Sequence, residues 1–476
     1  MIRKKELFSF LFLSLSVFGQ DLYVQEISDD YSDLNQILKP LSLNIAIEQG
    51  MRKNFSENIR KNDKEIYLNK IQDNKEKFYY PNINLTLDAS SQRVGTVKGS
   101  NSTTDSKSKI PTGSFGLEFG EYSIFNWGKD YLSYLNTKEE LERSKDRTNE
   151  ESREFRQDII IAFTNLIYLD QTVRIKKEQL RTASFIYRLN RERVIQKKVS
   201  KHEYYQARSE YLRAQQEYFE TKLTYENAHE EMAKLIDDEP GTKYQIAQNF
   251  RHQKVKLTLR GALELAAKNA PFIKDGVTNE NIKKREYEIA IKDNMPLPKI
   301  TLDLGTYKHH FSPEGTRTLY EVDEGNSNLE VVATVKASWT IFGDGGVFNR
   351  RKLANARLSK ENSTWNARSA KRKVEAYITK IFQEFSNSHD KIKILEARVP
   401  SLKKTMELAN NRYIEGKGRY TDFHISLVEY FDAQIDYEKL KWEYLRNKIL
   451  LAQLVGLEDL PGESFDNIIV KNEDAK

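Results

Sequence analysis

The 476-residue chain contains no cysteine. That excludes disulfide frameworks, cysteine-ligated zinc and cysteine nucleophiles. Glycine and proline are scarce, at 21 and 10 residues, so long uninterrupted elements are expected, mostly helices. No segment of the mature chain reaches the ~18 consecutive apolar residues of a membrane-crossing helix. Neither sign of charge dominates. The 76 Lys and Arg face 70 Asp and Glu, for a net charge of +6. This balance is too mild and too evenly spread for a nucleic-acid footprint, and no nucleic-acid partner is expected. Catalytic signatures are missing too: there is no Gly-x-x-x-x-Gly-Lys-Ser/Thr, no His-Glu-x-x-His and no Gly-x-Ser-x-Gly. No catalytic, cofactor-binding or metal-binding residue is assigned, and the chain is not read as an enzyme.

What is present is charge, at 31% of residues, and aromatic side chains, at 11%, in a chain of mean hydropathy −0.70. Aromatics that frequent argue against disorder. The amino terminus stands apart. Arg3, Lys4 and Lys5 precede an apolar run from Leu7 to Gly19. The run is too short to span a bilayer and reads as a signal peptide, residues 1–19, cut near Gly19 and Gln20. No cysteine follows it, so a lipoprotein anchor is excluded.

The chain repeats itself. Leu41-Ser42-Leu43 recurs as Leu257-Thr258-Leu259, Pro81-Asn82-Ile83-Asn84-Leu85 as Pro298-Lys299-Ile300-Thr301-Leu302, and Ile124-Phe125-Asn126-Trp127-Gly128 as Ile341-Phe342-Gly343-Asp344-Gly345. The matches keep their order and nearly constant offset. The expected organisation is a first unit over 20–240, a second over 241–460 and a tail over 461–476.

Each unit carries two stretches with apolar residues at every second place, the mark of strands with one apolar face. Ile83, Leu85 and Leu87 alternate with polar residues, as do Phe115, Leu117 and Phe119. In the second unit Ile300, Leu302 and Leu304 do the same, followed by Val335, Ala337 and Trp339. Strand hairpins are expected over 82–125 and 299–342. The connections Ser91 to Thr112 and Lys308 to Asn328 read as long exposed loops. His309-His310 falls in the second of these and reads as a solvated pair. Gly343-Asp344-Gly345-Gly346 reads as a tight strand-to-helix turn, because a phosphate loop would need a lysine.

Heptads follow each hairpin. Ile378, Phe385, Ile392, Val399, Met406 and Tyr413 recur every seven residues, as do Ile159, Leu166, Val173, Leu180, Tyr187 and Val194. Repeats this long imply coiled-coil packing. Helices over Gly128 to Gln196 and Gly345 to Glu415 would each extend roughly 100 Å. Pro400 lies inside the second and should kink it or cap a segment. Shorter helices are expected over Ser56–Tyr80, Ser200–Ile236, Pro271–Asn294 and Thr421–Val455.

An exported chain with four half-apolar strands points to lipid, where strands span only as closed barrels. Four strands cannot close a pore, whereas several identical chains can. On the duplicated openings, the Pro-x-Ile-x-Leu strand starts, the strand-to-helix turns at Trp127, Gly128, Gly343 and Gly345, and Tyr413-Ile414-Glu415-Gly416, the chain resembles the TolC-like outer membrane efflux proteins. The resemblance covers essentially the mature chain. It implies a mainly α protein with a β-barrel: a homotrimer of 12 transmembrane strands continued by a coiled-coil α-helical tunnel. It also implies an outer membrane location in a Gram-negative bacterium, contact with outer membrane lipid and a large periplasmic portion. The implied function is the exit duct of a tripartite efflux or type I secretion system. The implied partners are a periplasmic adaptor protein and an inner-membrane pump of the RND or ABC class.

The same resemblance places a periplasmic gate on the last hairpin. Aligned on Tyr413 and Gly416, Asp422 occupies an acidic position of the family's closing ring. Ile425 stands where the prototype has a second acid, and Gly418 where it has an arginine. Tyr413, Arg419, Asp422, Phe423 and Ile425 are the candidate gate, with Tyr413 and Arg419 tying helices together and Phe423 as an apolar plug. Asp422 is equally readable as a first-turn acid favoured by the helix dipole. The competing reading of the whole chain is an exported coiled-coil scaffold without a channel, which detergent-free extraction would release.

Overall fold

The computed structural model describes residues 38–89, 113–250, 252–304, 307–311, 333–341, 349–465 and 469–471. The expected signal segment, most of both long connections, and Gly343 and Gly345 lie outside the described residues.

The chain begins with β1 (Lys39–Pro40), α1 (Leu43–Lys53) and α2 (Phe55–Tyr79). The strands β2 (Ile83–Ala89), β3 (Gly113–Phe119) and β4 (Tyr122–Phe125) follow. Two long helices come next, α3 (Lys129–Ile195) and α4 (Lys201–Ile236). After the short strands β5 (Tyr244–Gln245) and β6 (Gln248–Phe250), the order returns with α5 (Leu259–Asn269) and α6 (Pro271–Asp293). The strands β7 (Lys299–Leu304), β8 (Tyr307–Phe311) and β9 (Ala333–Ser338) lead into α7 (Arg350–Ile414), α8 (Tyr420–Val455) and β10 (Ile469–Lys471).

Local chemistry explains the boundaries. The Leu-Ser-Leu and Leu-Thr-Leu segments are helix starts, with Ser42 and Thr258 as N-caps of α1 and α5. The Thr258 hydroxyl accepts a bond from the Gly261 N–H, satisfying one free donor of the first turn. Pro271 opens α6, where its missing N–H costs nothing. Pro400 neither ends α7 nor divides it; the helix runs through it from Arg350 to Ile414.

The strands of the two hairpin regions form two three-stranded antiparallel sheets. β2 pairs with β3, β3 with β8, β4 with β7, and β7 with β9. Gly113↔Phe311, Leu117↔Tyr307 and Tyr122↔Leu302 belong to a single register. β3 and β4 thus lie beside β8 and β7 respectively, with β2 at an outer edge of one sheet and β9 at an outer edge of the other. This corrects the expected loop at Lys308: His309 and His310 lie in β8, opposite Phe115 and Ser114.

The helices form a wall four elements wide. Beside the first half of α3 lie α2 on one flank and α6 on the other, with α7 beyond α6. Bonds from Ser152 to Glu57, Asn281 to Glu139 and Thr364 to Glu280 mark these contacts. Beside the second half of α3 lie α4 and α8, with the lower part of α7 beyond α8. Stacked short helices thus match one long helix, as 1.5 Å per residue requires. The deepest core sits midway, where Phe163, Ile236, Tyr244, Ile449 and Phe465 pack together with α1 and α5.

The heptads are only partly the packed faces. Ile378, Phe385 and Ile392 are buried on α7, and Ile159 and Leu166 on α3. Below Leu166, however, the buried face of α3 passes to Ile175, Gln179, Ala183, Ile186 and Asn190. The expected series Val173, Leu180, Tyr187 and Val194 is half-buried. An α-helix drifts against a strict seven-residue repeat, so another stripe rotates into the contact.

Candidate functional site

Two helical turns meet at the end of the wall farthest from the strands. α3 passes into α4 through Gln196–Ser200, and α7 into α8 through Glu415–Arg419. Both close in the same way. Lys197 and Gly416 take left-handed backbone, at φ 58° and 76°. The next amides, of Lys198 and Lys417, bond back to the carbonyls of Arg193 and Arg412. Glycine is the expected residue in this conformation, and only the second turn has it.

One cluster joins the two turns. The Tyr413 hydroxyl donates to Asn190 Oδ1, and Asn190 is 0% exposed. Arg193, one turn further along α3, donates to the carbonyls of Tyr413 at 3.0 Å and Ile414 at 2.5 Å. Its guanidinium also lies over the Tyr413 ring, 5.6 Å from the centroid. Arg193 thereby satisfies end carbonyls of α7 and meets the negative end of its dipole. Tyr413 stacks on Phe423 with ring centroids 5.7 Å apart and planes at 11°. Burial pushes the Tyr413 phenol up in pKa, against the opposing effect of the Asn190 bond.

The candidate gate residues divide. Tyr413 and Phe423 are interior, and Arg419, Asp422 and Ile425 are exposed. Phe423 is 1% exposed. Its side chain packs within its own chain, against Tyr413. Arg419 is the N-cap of α8, without a side-chain capping bond, and does not share the Tyr413 cluster. The partners of Tyr413 are Asn190 and Arg193 instead. Sequence spacing could not find them, because they lie more than 200 residues away. Asp422 sits in the first turn of α8, and Ile425 is 56% exposed less than one turn later.

At the other end, Trp127 (φ 52°) and Gly128 (φ 77°) turn β4 into α3. Trp127 Nε1 donates to the Pro298 carbonyl at 3.0 Å, joining this turn to the start of β7. Lys129 pairs with Asp293 at 3.0 Å, and Lys352 reaches the same carboxylate at 3.3 Å. The strand-to-helix junctions of both halves are thus held together. Among the described residues no group of three or more His, Cys, Asp or Glu is placed to hold a metal ion. Among them, too, no helix is long and apolar enough to cross a membrane.

Comparison with known proteins places this architecture. A family model described as outer membrane efflux protein matches residues 73–237 and 263–457, most of the chain. Solved structures share the fold, among them the following three. The outer membrane protein VceC from Vibrio cholerae aligns at TM-score 0.68 and 15% identity, over 87% of this chain and 96% of its own. The CmeC outer membrane channel of Campylobacter jejuni aligns at 0.69 and 17%, over 89% and 87%. The open state of the MtrE outer membrane channel of Neisseria gonorrhoeae aligns at 0.60 and 16%, over 88% and 90%. No curated protein sequence matches.

Proposed function

Because the chain belongs to the outer membrane efflux protein family, we propose that three copies close into one duct: a 12-stranded barrel in the outer membrane above a periplasmic helical tunnel. The observation that carries this reading is the placement of the open edges. β2 and α2 leave one flank of the protomer unpartnered, continued below by α4, while β9 and α7 leave the other. Apolar side chains stand exposed on both flanks: Ile59 and Ile66 on α2, Leu212 and Phe219 on α4, Trp365 and Leu408 on α7. Unlike edges at the same heights join head to tail, and a closing rotation gives a ring. In lipid an open strand edge is untenable, so closure is required there.

The duct transports; it performs no chemistry of its own. An adaptor and an RND or ABC pump would deliver cargo to its periplasmic end, for efflux or for type I secretion. The mature chain would begin near Gln20, and its halves, 20–240 and 241–460, would be copies of one unit, as their matching succession of helix lengths suggests. At the tip, the Asn190–Arg193–Tyr413 cluster would hold the two turns of each chain together in the resting state. Asp422 and Ile425 would face their counterparts in the other two chains, giving a closure more apolar than ionic. Mass measurement of the detergent-extracted protein tests the assembly. A trimer is expected, and a monomer in mild detergent, or release without detergent, would overturn the reading in favour of a scaffold.

A further inference from the structure

A groove of about 420 Å³ runs between α6 and α7 in the half of the wall nearer the strands. Asn279 of α6 and Asn355, Ser359, Asn362, Ser363 and Asn366 of α7 line it. Asn355 and Asn362 stand seven residues apart, as do Ser359 and Asn366, so they keep to one side of a helix that packs as a coil. Just below the groove the two helices close up, where a Cβ at Gly276 would stand 3.2 Å from Ala367 Cα.

The lining is amide and hydroxyl. Each asparagine offers two donors and a carbonyl acceptor, and each serine a donor and an acceptor. None of the four asparagine side chains is bonded to another group among the described residues. Among them, too, no carboxylate lines the groove. Its one cation, the Lys283 ammonium, is taken by both oxygens of Glu286, at 3.1 and 2.8 Å. Its one large apolar residue is Leu358. Charge lies on other sides of the same turns, where Arg357 pairs with Glu361 at 3.1 Å and Lys284 with Glu280 at 2.8 Å. A ligand suited to this lining is uncharged and carries many groups that both donate and accept. The neighbouring hydroxyls of a sugar meet that description.

The groove opens away from the belt that crosses the middle of the wall. The Leu43 N–H of α1 donates to Gln248 at 3.2 Å, β6 pairs with β10, and the Lys256 N–H donates to Glu463 at 3.2 Å. These bonds tie α1, the connection leading to α5 and the tail into one layer. The layer meets α7 at His389, 2.8 Å from His252. At about 100° per residue, Asn355, Asn362 and Asn366 lie about 140–180° round α7 from His389. Walls closed into a tube leave room for such a layer on the outside only, since inside it would fill the bore. We propose that the groove is a saccharide site on the inner wall of the duct, one per protomer. Its place on the inner wall rests on the duct reading; its chemistry does not.

Saturation-transfer NMR of the full-length protein, in a detergent without a sugar headgroup, tests the site with maltotriose. Binding is expected with a Kd on the order of 1 mM. Asn355→Ala/Asn362→Ala/Asn366→Ala should weaken it about tenfold or more, and Asn362→Leu alone a few-fold. Glu361→Gln, on the charged side, should leave it unchanged. No binding by the wild type, equal binding by the triple variant, or tighter binding of acetyl-triglycine amide would overturn the proposal. In planar bilayers maltotriose should interrupt the wild-type single-channel current and spare that of the triple variant. Binding without interruption would remove the site from the bore. Binding by a protein that forms no channel would instead refute the duct and leave the saccharide site standing.

Discussion

Tyr413→Phe isolates a single bond of the tip. The phenyl ring keeps its stacking on Phe423 and its place under Arg193. Only the hydroxyl bond to Asn190 is removed. Asn190 is wholly buried, and its Nδ2 already lacks a partner. Its Oδ1 would therefore be stranded, at a cost of about 1–3 kcal/mol. If the cluster holds the closed state, that cost falls on the closed state alone. The open-to-closed ratio should then rise by a factor of roughly 5–150. Single-channel recording in planar bilayers reads this as increased resting conductance at unchanged trimer yield. Asn190→Ala in the same background removes the stranded acceptor and should recover part of the effect. Intact trimers with wild-type resting current would refute the assignment of the cluster to closure and leave it a packing contact.

Asp422→Ala should weaken block of the current by trivalent cations without abolishing closure; unchanged block would leave Asp422 as a first-turn acid stabilised by the α8 dipole. Leu85 is 59% exposed on β2, and Leu85→Arg should destabilise the folded trimer by about 2–4 kcal/mol if the residue meets lipid near the midplane. Heat resistance of the trimer on gels measures this, and a neutral outcome would place Leu85 away from lipid. Gly456 and Gly416 both have left-handed backbone, but a Cβ at Gly456 would stand 2.3 Å from the Asn269 carbonyl oxygen, whereas among the described residues, its chain neighbours aside, nothing lies within 4 Å of one at Gly416. Gly416→Ala should cost about 1 kcal/mol, and Gly456→Ala about 3 kcal/mol or more, read as a difference in melting temperature.

Much of the fold was legible because its signals are local and doubled. A helix expected over Gly128–Gln196 runs from Lys129 to Ile195, and one expected over Pro271–Asn294 from Pro271 to Asp293. Few glycines and prolines, periodic apolar faces and the left-handed turn at Gly128 act within a few residues, so one chain of letters displays them. Family membership was legible for the same reason, since order and spacing of short motifs survive when identity does not.

Partnership across distance was not legible. Tyr413 could be singled out by its place before Gly416, but its bonds to Asn190 and Arg193 depend on α3 and α7 ending at one height. That Phe423 is interior depends on how α8 is rotated onto its neighbours. The drift of 3.6 residues per turn against seven hands the lower face of α3 from Leu180 and Tyr187 to Ala183 and Ile186. His309 and His310 lie in a loop by composition and in a strand because residues 113–117 offer them a ladder. Sequence determined the helices and the alternating strands, since those signals act between neighbours along the chain, but not β8. Tertiary structure decided which faces touch, because rotation and height are set only when long elements are laid side by side.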